Sequence, residues 1–190
     1  MRSPLLMGRA NSALIVIDVQ EKLVPAISGG PKLVWNIERL IKAAKILDVE
    51  VRVTEQYPQG LGRTVEPLKE LLGDAVEKSM FSCRECESMF EELRSAGITN
   101  LALAGIETHV CVMQTALDCI TAGFNVFLLA DAVGSRFESD HEIALRRMES
   151  SGCFLTTAEA TMFEWCESSK SPEFKSISQL VREPFGETSA

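Results

Sequence analysis

Residues 13–18 read Ala-Leu-Ile-Val-Ile-Asp, and this stretch is the clearest indication of the fold class. Five apolar residues follow one another without a polar interruption, and the run stops at Asp18. A strand without a polar face is buried on both sides, which is typical of a parallel sheet covered by helices. The stretch therefore predicts a central parallel strand with a carboxylate at its carboxyl end.

Apolar runs of the same kind recur along the chain and alternate with segments of helical periodicity. The further predicted strands are residues 51–54, 75–78, 101–104, 126–129 and 153–156, of which 75–78 is the weakest. The predicted helices span roughly residues 31–47, 89–93, 111–121 and 143–148. Because strands that alternate with helices imply right-handed crossovers, we predict a three-layer α/β/α, Rossmann-like domain with a six-stranded parallel sheet.

The length of 190 residues suits one domain, and we predict a single domain over residues 1–190. Its core spans about residues 11–165. A helical tail follows over residues 166–190 and includes a short closing helix near 174–181. We find no internal repeat, low-complexity stretch or linker in the sequence.

The composition excludes several classes of partner. The chain has 27 acidic and 19 basic side chains, which gives a formal net charge of −8 at pH 7. Nucleic-acid binding relies on clustered cations, and no run of Lys or Arg occurs. No apolar stretch approaches the ~18 residues of a membrane span, and the apolar run near the start is too short for a signal peptide. We therefore expect a cytoplasmic protein with reduced thiols and neither nucleic-acid nor membrane partners.

Residues with reactive side chains follow several of the predicted strands. Asp18, Glu55, Lys78 and Asp131 follow the first, second, third and fifth strands, and Cys111 lies in the turn after the fourth. Ligands of open parallel sheets bind beyond the carboxyl ends of the strands. The sequence therefore predicts a carboxylate, an ammonium and a thiol at one edge of the sheet.

Cys111 has the most informative position among the six cysteines. It follows a Gly-containing turn and begins a helix, where the positive end of the helix dipole favours a thiolate and can stabilise an oxyanion. A buried structural cysteine is the alternative interpretation of this position. For the other cysteines, such as Cys119 in mid-helix and Cys153 at a strand start, we favour the structural interpretation.

The pair Cys83 and Cys86 forms a CxxC motif without the partners that such motifs need. A zinc site takes about four ligands, and the sequence has neither a second CxxC nor a closely spaced histidine pair. A redox role for the two thiols is left as an alternative. We predict no metal site.

The two histidines are poorly placed for catalysis. His109 lies two residues before Cys111 at a strand-to-helix turn, where the two side chains should diverge. His141 is typical of a solvated helix start. A carboxylate is then the available general base, and Asp18 is the best placed.

Four motifs together resemble the isochorismatase-like cysteine hydrolases. They are the first strand and its end at residues 13–20, the lysine segment at 78–82, the nucleophile turn at 105–116 and the segment at 131–136. They cover roughly residues 11–165 in the family's order and spacing. Residues 54–62 and 172–175 further resemble the isochorismatase domain-containing proteins, which extends the resemblance to about residue 184.

The resemblance implies a catalytic triad of Asp18, Lys78 and Cys111. Asp18 would accept the thiol proton and Lys78 would hold Asp18, so that Cys111 attacks a carbonyl carbon and forms a thioester. The backbone N–H groups of Glu107 and Cys111 would bind the oxyanion. Members of the family have a non-proline cis peptide in this turn, here between Ile106 and Glu107. No cofactor is implied.

Sequence differences from other family members restrict the class of substrate. Nicotinamidases carry an Asp-x-His metal-ligand set after the second strand, whereas this chain has Glu-Gln-Tyr at residues 55–57. Isochorismatases proper lack the cysteine nucleophile, so Cys111 indicates an amide, imide or related acyl substrate. Gln20, Gln56 and Tyr57 are candidates for substrate contacts, with hydrogen bonding within loops as the alternative.

The sequence thus predicts a metal-independent cysteine hydrolase of a small molecule, with no cofactor, in a homo-oligomer. One alternative is a catalytically silent oligomeric interaction protein on the same scaffold. Another is a nicotinamidase-like amidase. A thiol redox protein that uses Cys83 and Cys86 is the least supported interpretation.

Overall fold

A computed structural model describes residues 2–186 and contains a six-stranded, all-parallel sheet in the order β3-β2-β1-β4-β5-β6. The strands are β1 (Ser12–Ile17), β2 (Glu50–Gln56), β3 (Val76–Lys78), β4 (Asn100–Ile106), β5 (Asn125–Gly134) and β6 (Phe154–Thr156). The helices are α1 (Gly30–Ile46), α2 (Pro58–Leu61), α3 (Leu68–Leu71), α4 (Glu87–Ser95), α5 (Met113–Thr121), α6 (Glu138–Ser150), α7 (Ala158–Cys166) and α8 (Phe174–Leu180). The predicted three-layer α/β/α, Rossmann-like fold is confirmed.

The two faces of β1 are buried under different sets of helices. Leu14 and Val16 belong to the core formed with α1, α7 and α8, whereas Ala13, Ile15 and Ile17 belong to the core formed with α4, α5 and α6. All six residues of β1 are buried, because both faces of a parallel sheet are covered. No helix within residues 2–186 is long and apolar enough to cross a membrane.

The strand order reverses between β1 and β4, which are paired from Ser12 with Asn100 to Ile17 with Gly105. The chain leaves these two strands in opposite directions, so a crevice opens beyond their carboxyl ends. Asp18 and the turn that contains Cys111 follow β1 and β4 directly. The two residues therefore flank the point at which such folds bind ligands.

The fifth strand is longer than the sequence predicted, and this removes Asp131 from the candidate site. The register between β4 and β5 shifts between Leu103 and Gly105, so β5 continues through Asp131 to Gly134. The Asp131 carboxylate accepts the backbone N–H of Ala158 at 2.7 Å, at the start of α7. The expectation that Asp131 ends a strand at the catalytic edge is wrong, because the residue caps a helix instead.

The tail also contains more regular structure than expected. Helix α7 was not predicted, although Thr157 at its N-cap accepts the backbone N–H of Ala160, a recognised start signal. Helix α8 lies within the predicted closing helix, and Ile177 and Leu180 bury its inner face. Residues 187–190 of the predicted tail lie outside the described residues.

Candidate active site

Asp18 lies directly after β1 with a positive φ of 54°, a left-handed conformation that aspartate tolerates better than most residues. Its backbone N–H donates to the Thr54 carbonyl at 3.1 Å, which continues the pairing with β2 for one more residue. Its carboxylate is fully buried; Oδ1 accepts the Thr54 hydroxyl at 2.8 Å and Oδ2 accepts the Lys78 ammonium at 2.6 Å. The carboxylate is therefore fixed from two sides.

Lys78 ends β3, and its side chain is completely buried. Besides Asp18 Oδ2, the ammonium donates to Gln56 Oε1 at 2.8 Å, to the Phe81 carbonyl at 3.0 Å and to the Met80 carbonyl at 3.3 Å. Burial is the largest influence and opposes the charged form, but the charge and hydrogen bond of Asp18 and the charges of Cys111 and Cys83 together exceed it, so the pKa of Lys78 is raised. With four acceptors for three N–H bonds, the ammonium is suited to holding Asp18 in place.

The segment that carries the cysteine follows β4 through a crowded turn. Gly105 has a φ of +130°, and a Cβ at this position would lie 2.0 Å from the Ile17 carbonyl oxygen, so only glycine fits. The peptide bond between Ile106 and Glu107 is cis. A widened helical turn over Thr108–Val112 then leads into α5 and contains Cys111.

The Cys111 thiol is held neutral in the structure. Burial raises its pKa, the charge of Asp18 and a hydrogen bond with Asp18 raise it further, and the charge of Lys78 only partly opposes them. The expectation that the helix N-terminus favours a thiolate is therefore wrong for the free protein. A neutral thiol next to a carboxylate needs that carboxylate to remove its proton before it can act as a nucleophile.

All three members of this set are buried. As whole residues, Cys111 is 6 % exposed, Lys78 is 4 % exposed and Asp18 is fully buried, and the side chains of Asp18 and Lys78 are completely covered. The carboxylate and the ammonium are therefore shielded from bulk solvent. A separate cleft of about 330 Å³ lies against α4 and α5 and is lined by none of these three residues.

Side chains from the loop after β5 and from α6 hold the nucleophile turn. The contacts join Thr108 Oγ1 to His141 Nδ1 (3.0 Å), His109 Nδ1 to Ser135 Oγ (2.9 Å) and Glu107 Oε1 to Arg136 Nε (2.9 Å). His141 is half-buried and its pKa is lowered by that burial, so the expectation of a solvated helix start is wrong. The sequence analysis assigned no individual role to Ser135 or Arg136, although both lie in the segment 131–136 that contributes to the family resemblance.

The three residues predicted to contact substrate differ in how free their side chains are. Gln20 is fully buried, and its amide pairs with the backbone of Gln56 and with the Gly62 carbonyl. This agrees with the alternative interpretation, hydrogen bonding within loops. The side chain of Gln56 bridges the Lys78 ammonium and the Ser79 carbonyl. Tyr57 is 60 % exposed, which leaves its ring available at the carboxyl edge of β2.

The CxxC motif is buried and not cross-linked. Cys83 is completely buried, its Sγ lies 3.7 Å from Thr54 Oγ1, and burial raises its pKa to about 12. Cys86 is also free and buried, and burial raises its pKa as well. Redox-active thiols are accessible and have low pKa values, so this environment disfavours a redox role. No group of three or more His, Cys, Asp or Glu side chains within residues 2–186 is arranged to hold a metal ion.

Fold and site together define a Rossmann-like α/β protein with a buried carboxylate–ammonium pair next to a cysteine at the switch point of its sheet. The chain belongs to the isochorismatase family, whose domain model matches residues 12–160. Its fold is therefore that of the isochorismatase-family hydrolases.

Known relatives cover nearly the whole chain. Isochorismatase domain-containing protein 2 of Xenopus laevis is 39% identical over 94% of this chain and 87% of its own. A structure described as the MAR1 ribonuclease of Caenorhabditis elegans is 38% identical, with a TM-score of 0.86 over 97% of this chain and 98% of its own. The YcaC gene product of Escherichia coli, described as an octameric hydrolase of unknown specificity, shares the fold at 24% identity, with a TM-score of 0.86 over 95% of this chain and 91% of its own.

Proposed function

We propose that the protein is a metal-independent cysteine hydrolase that cleaves a small amide, imide or related acyl substrate through a thioester intermediate. The observation that supports this most strongly is the placement of the Asp18–Lys78 pair beside the Cys111 thiol. A neutral thiol, a fixed carboxylate and a saturated ammonium are the parts that general-base activation of a nucleophile requires.

In the proposed reaction, Cys111 Sγ attacks the carbonyl carbon of the substrate while the thiol proton passes to Asp18. The negative charge that develops on the carbonyl oxygen is received by the backbone N–H groups of Glu107 and Cys111. Asp18 then returns the proton to the leaving nitrogen as the C–N bond breaks, which leaves a thioester. Water attacks the thioester with Asp18 again as base, and the acid product and the free thiol result.

The role proposed for Lys78 is to orient Asp18. The ammonium has four acceptors, so donation to a substrate would require loss of one of these contacts. Neither histidine competes with Asp18 as base, because His109 pairs with Ser135 and His141 pairs with Thr108. A carboxylate therefore carries the proton in both half-reactions.

Contacts of Glu55 support the metal-independent form of the mechanism. Its carboxylate accepts the backbone N–H and hydroxyl of Thr64, at 2.6 and 2.8 Å, and the guanidinium of Arg63 at 2.9 Å. These bonds lower the pKa of Glu55 against the effect of its burial and commit the carboxylate to the loop after β2. The position that bears a metal ligand in nicotinamidases is thus used for loop structure here.

We extend the proposal to the whole chain as one domain, to a reducing compartment such as the cytoplasm and to a homo-oligomer. The six free cysteines support the compartment, and the octameric description of the YcaC relative supports assembly. A catalytically silent interaction protein and a nicotinamidase-like amidase are the competing functions. The ribonuclease description of the Caenorhabditis relative adds RNA as a substrate to test, although a net charge of −8 is unfavourable for phosphate binding.

The experiment is a hydrolysis screen with small primary amides, imides, acyl esters, nicotinamide and a single-stranded RNA. The wild type is compared with Cys111→Ala and with Cys119→Ala, which removes another buried thiol from the same helical segment. We expect turnover of at least one acyl substrate by the wild type and Cys119→Ala, and none by Cys111→Ala. Equal turnover by Cys111→Ala would contradict the proposal, as would cleavage of RNA alone.

A further inference from the structure

We propose that Glu85 is a positioning residue that holds the segment Ser79–Phe81 against the Lys78 ammonium. Glu85 lies within the CxxC motif, between the two buried cysteines, and has no part in the proposed chemistry. The inference rests on the proposed function only for its effect on turnover. Its structural part can be measured without a substrate.

The Glu85 carboxylate binds three donors of the segment that follows Lys78. Oε2 accepts the backbone N–H groups of Ser79 and Met80, both at 2.7 Å, and Oε1 accepts the Ser79 hydroxyl at 2.9 Å. These hydrogen bonds lower the pKa of Glu85, so the carboxylate stays charged around neutral pH. Charge-assisted hydrogen bonds of this kind are about twice as strong as neutral ones.

The carbonyl groups of the same segment face the ammonium. The N–H of Met80 donates to Glu85, while the Met80 carbonyl accepts a hydrogen bond from Lys78 and the Phe81 carbonyl accepts another. The side chains of Met80 and Phe81 are 43 % and 54 % exposed, so apolar packing contributes little to fixing this segment. Polar contacts to Glu85 on one side and to Lys78 on the other define its position.

Glu85 itself lies on an anchored base. The helical turn Cys83–Glu85 is tied to α5, because the Cys83 N–H donates to Thr115 Oγ1 at 2.9 Å and the Ser82 hydroxyl donates to Asp118 Oδ2 at 2.6 Å. Both cysteines of the motif are buried in the same core as Cys111. The CxxC pair thus works as an apolar anchor for Glu85.

Without the hydrogen bonds from Ser79 and Met80 to Glu85, the Met80 and Phe81 carbonyls no longer stay in place as two of the four acceptors of the ammonium, and water can reach it. Lys78 then holds Asp18 less firmly, and a misplaced general base lowers kcat more than it changes KM. The lysine also becomes accessible to acylating reagents, whereas in the intact protein its amine is protonated and buried. Replacement of a residue that only stabilised the fold would neither lower kcat selectively over KM nor increase the labelling of Lys78.

The test compares Glu85→Gln with Glu87→Gln, an exposed glutamate two residues further along the chain. Three quantities are measured: hydrogen exchange of peptides that cover residues 79–81, labelling of Lys78 by N-acetoxysuccinimide, and kcat and KM on a substrate of the wild type. In Glu85→Gln we expect exchange and labelling to rise about tenfold or more, and kcat to fall about tenfold or more with KM within about threefold. Glu87→Gln should match the wild type.

Unchanged exchange and labelling in Glu85→Gln would overturn the inference. Raised exchange and labelling with unchanged kcat would overturn the catalytic part of the role. If the wild type hydrolyses nothing, the proposed function fails, while exchange and labelling still decide whether Glu85 holds the ammonium site. Should Glu85→Gln fail to fold, Ser79→Ala removes one of the three contacts and is expected to change the same quantities in the same direction by a smaller factor.

Discussion

Lys78 Nζ lies 2.6 Å from Asp18 Oδ2, and both side chains are wholly excluded from solvent. A buried ion pair is weak evidence for stability, because the loss of hydration offsets much of the attraction between the charges. Removal of one partner is costly, since the other charge remains buried without compensation. The pair is therefore better explained by the chemistry of the adjacent thiol than by the stability of the fold.

The buried pair predicts an ordered series of stability losses. Lys78→Met should lower the free energy of unfolding by about 3–5 kcal/mol, because the buried Asp18 then retains only the neutral Thr54 hydroxyl and Cys111 thiol as partners. Asp18→Asn should cost less, because three neutral oxygens still surround the ammonium. The double variant should lose less than the sum of the two. Urea unfolding measures these values, and strictly additive losses would contradict the pairing.

The pKa of Cys111 predicts how its alkylation by iodoacetamide depends on its neighbours. Because the pKa is raised, the wild-type rate should be low at pH 7 and increase with pH beyond the ordinary thiol range near pH 8.5. Asp18→Asn removes a charge that raises this pKa, so labelling at pH 7 should accelerate although turnover is lost. Lys78→Met should slow it. Peptide mapping by mass spectrometry identifies the labelled cysteine, and the opposite order of the two variants would contradict the electrostatics described for the site.

The buried thiols predict a loss of stability in alkaline solution. A free cysteine ionises near pH 8.5, whereas the pKa of Cys83 in the folded protein is about 12. Between these values the folded state retains a proton that the unfolded state has lost, so stability is complete below about pH 8.5 and falls as pH rises. In Cys83→Ser, the free energy of unfolding should fall less steeply with pH, by about 1.4 kcal/mol per pH unit. Denaturant titrations at several pH values measure this, and an equal decrease of the unfolding free energy with pH in both proteins would contradict the raised pKa of Cys83.

Gly105, just before the nucleophile turn, lies too close to β1 for any larger residue. Gly105→Ala would place a Cβ 2.0 Å from the Ile17 carbonyl oxygen at a φ of +130°, so we expect a loss of about 3 kcal/mol or more. Gly123→Ala is the matched control, because it also has positive φ but meets nothing within 4 Å and should cost about 1–2 kcal/mol. Thermal unfolding compares the two, and equal losses would mean that the close approach to β1 is relieved by backbone movement.

The sequence was most informative where a single element determines the outcome. The unbroken apolar run of β1 required burial on both faces, and strand-end positions indicated a set of candidates that included Asp18, Lys78 and Cys111. The resemblance to the isochorismatase-like hydrolases, and not position alone, selected these three from that set. The extension of β5 past Asp131 was not predictable, because it depends on a register shift between two strands. The neutral state of Cys111 depends on side chains that are distant in sequence, and the hydrogen bond from Met80 to Glu85 depends on how the loop after β3 folds. Local patterns do not contain such relationships.

Intact-mass spectrometry after rapid acid quench shows whether Cys111 is the nucleophile. The protein is mixed with a p-nitrophenyl ester of a small acid or with a substrate found in the screen, and a proteolytic digest locates any acyl group. We expect the mass of one acyl group per chain on the peptide that contains Cys111, released again on longer incubation, and no adduct in Cys111→Ala. Turnover by the wild type with no adduct on Cys111, or with the acyl group on another residue, would contradict the account.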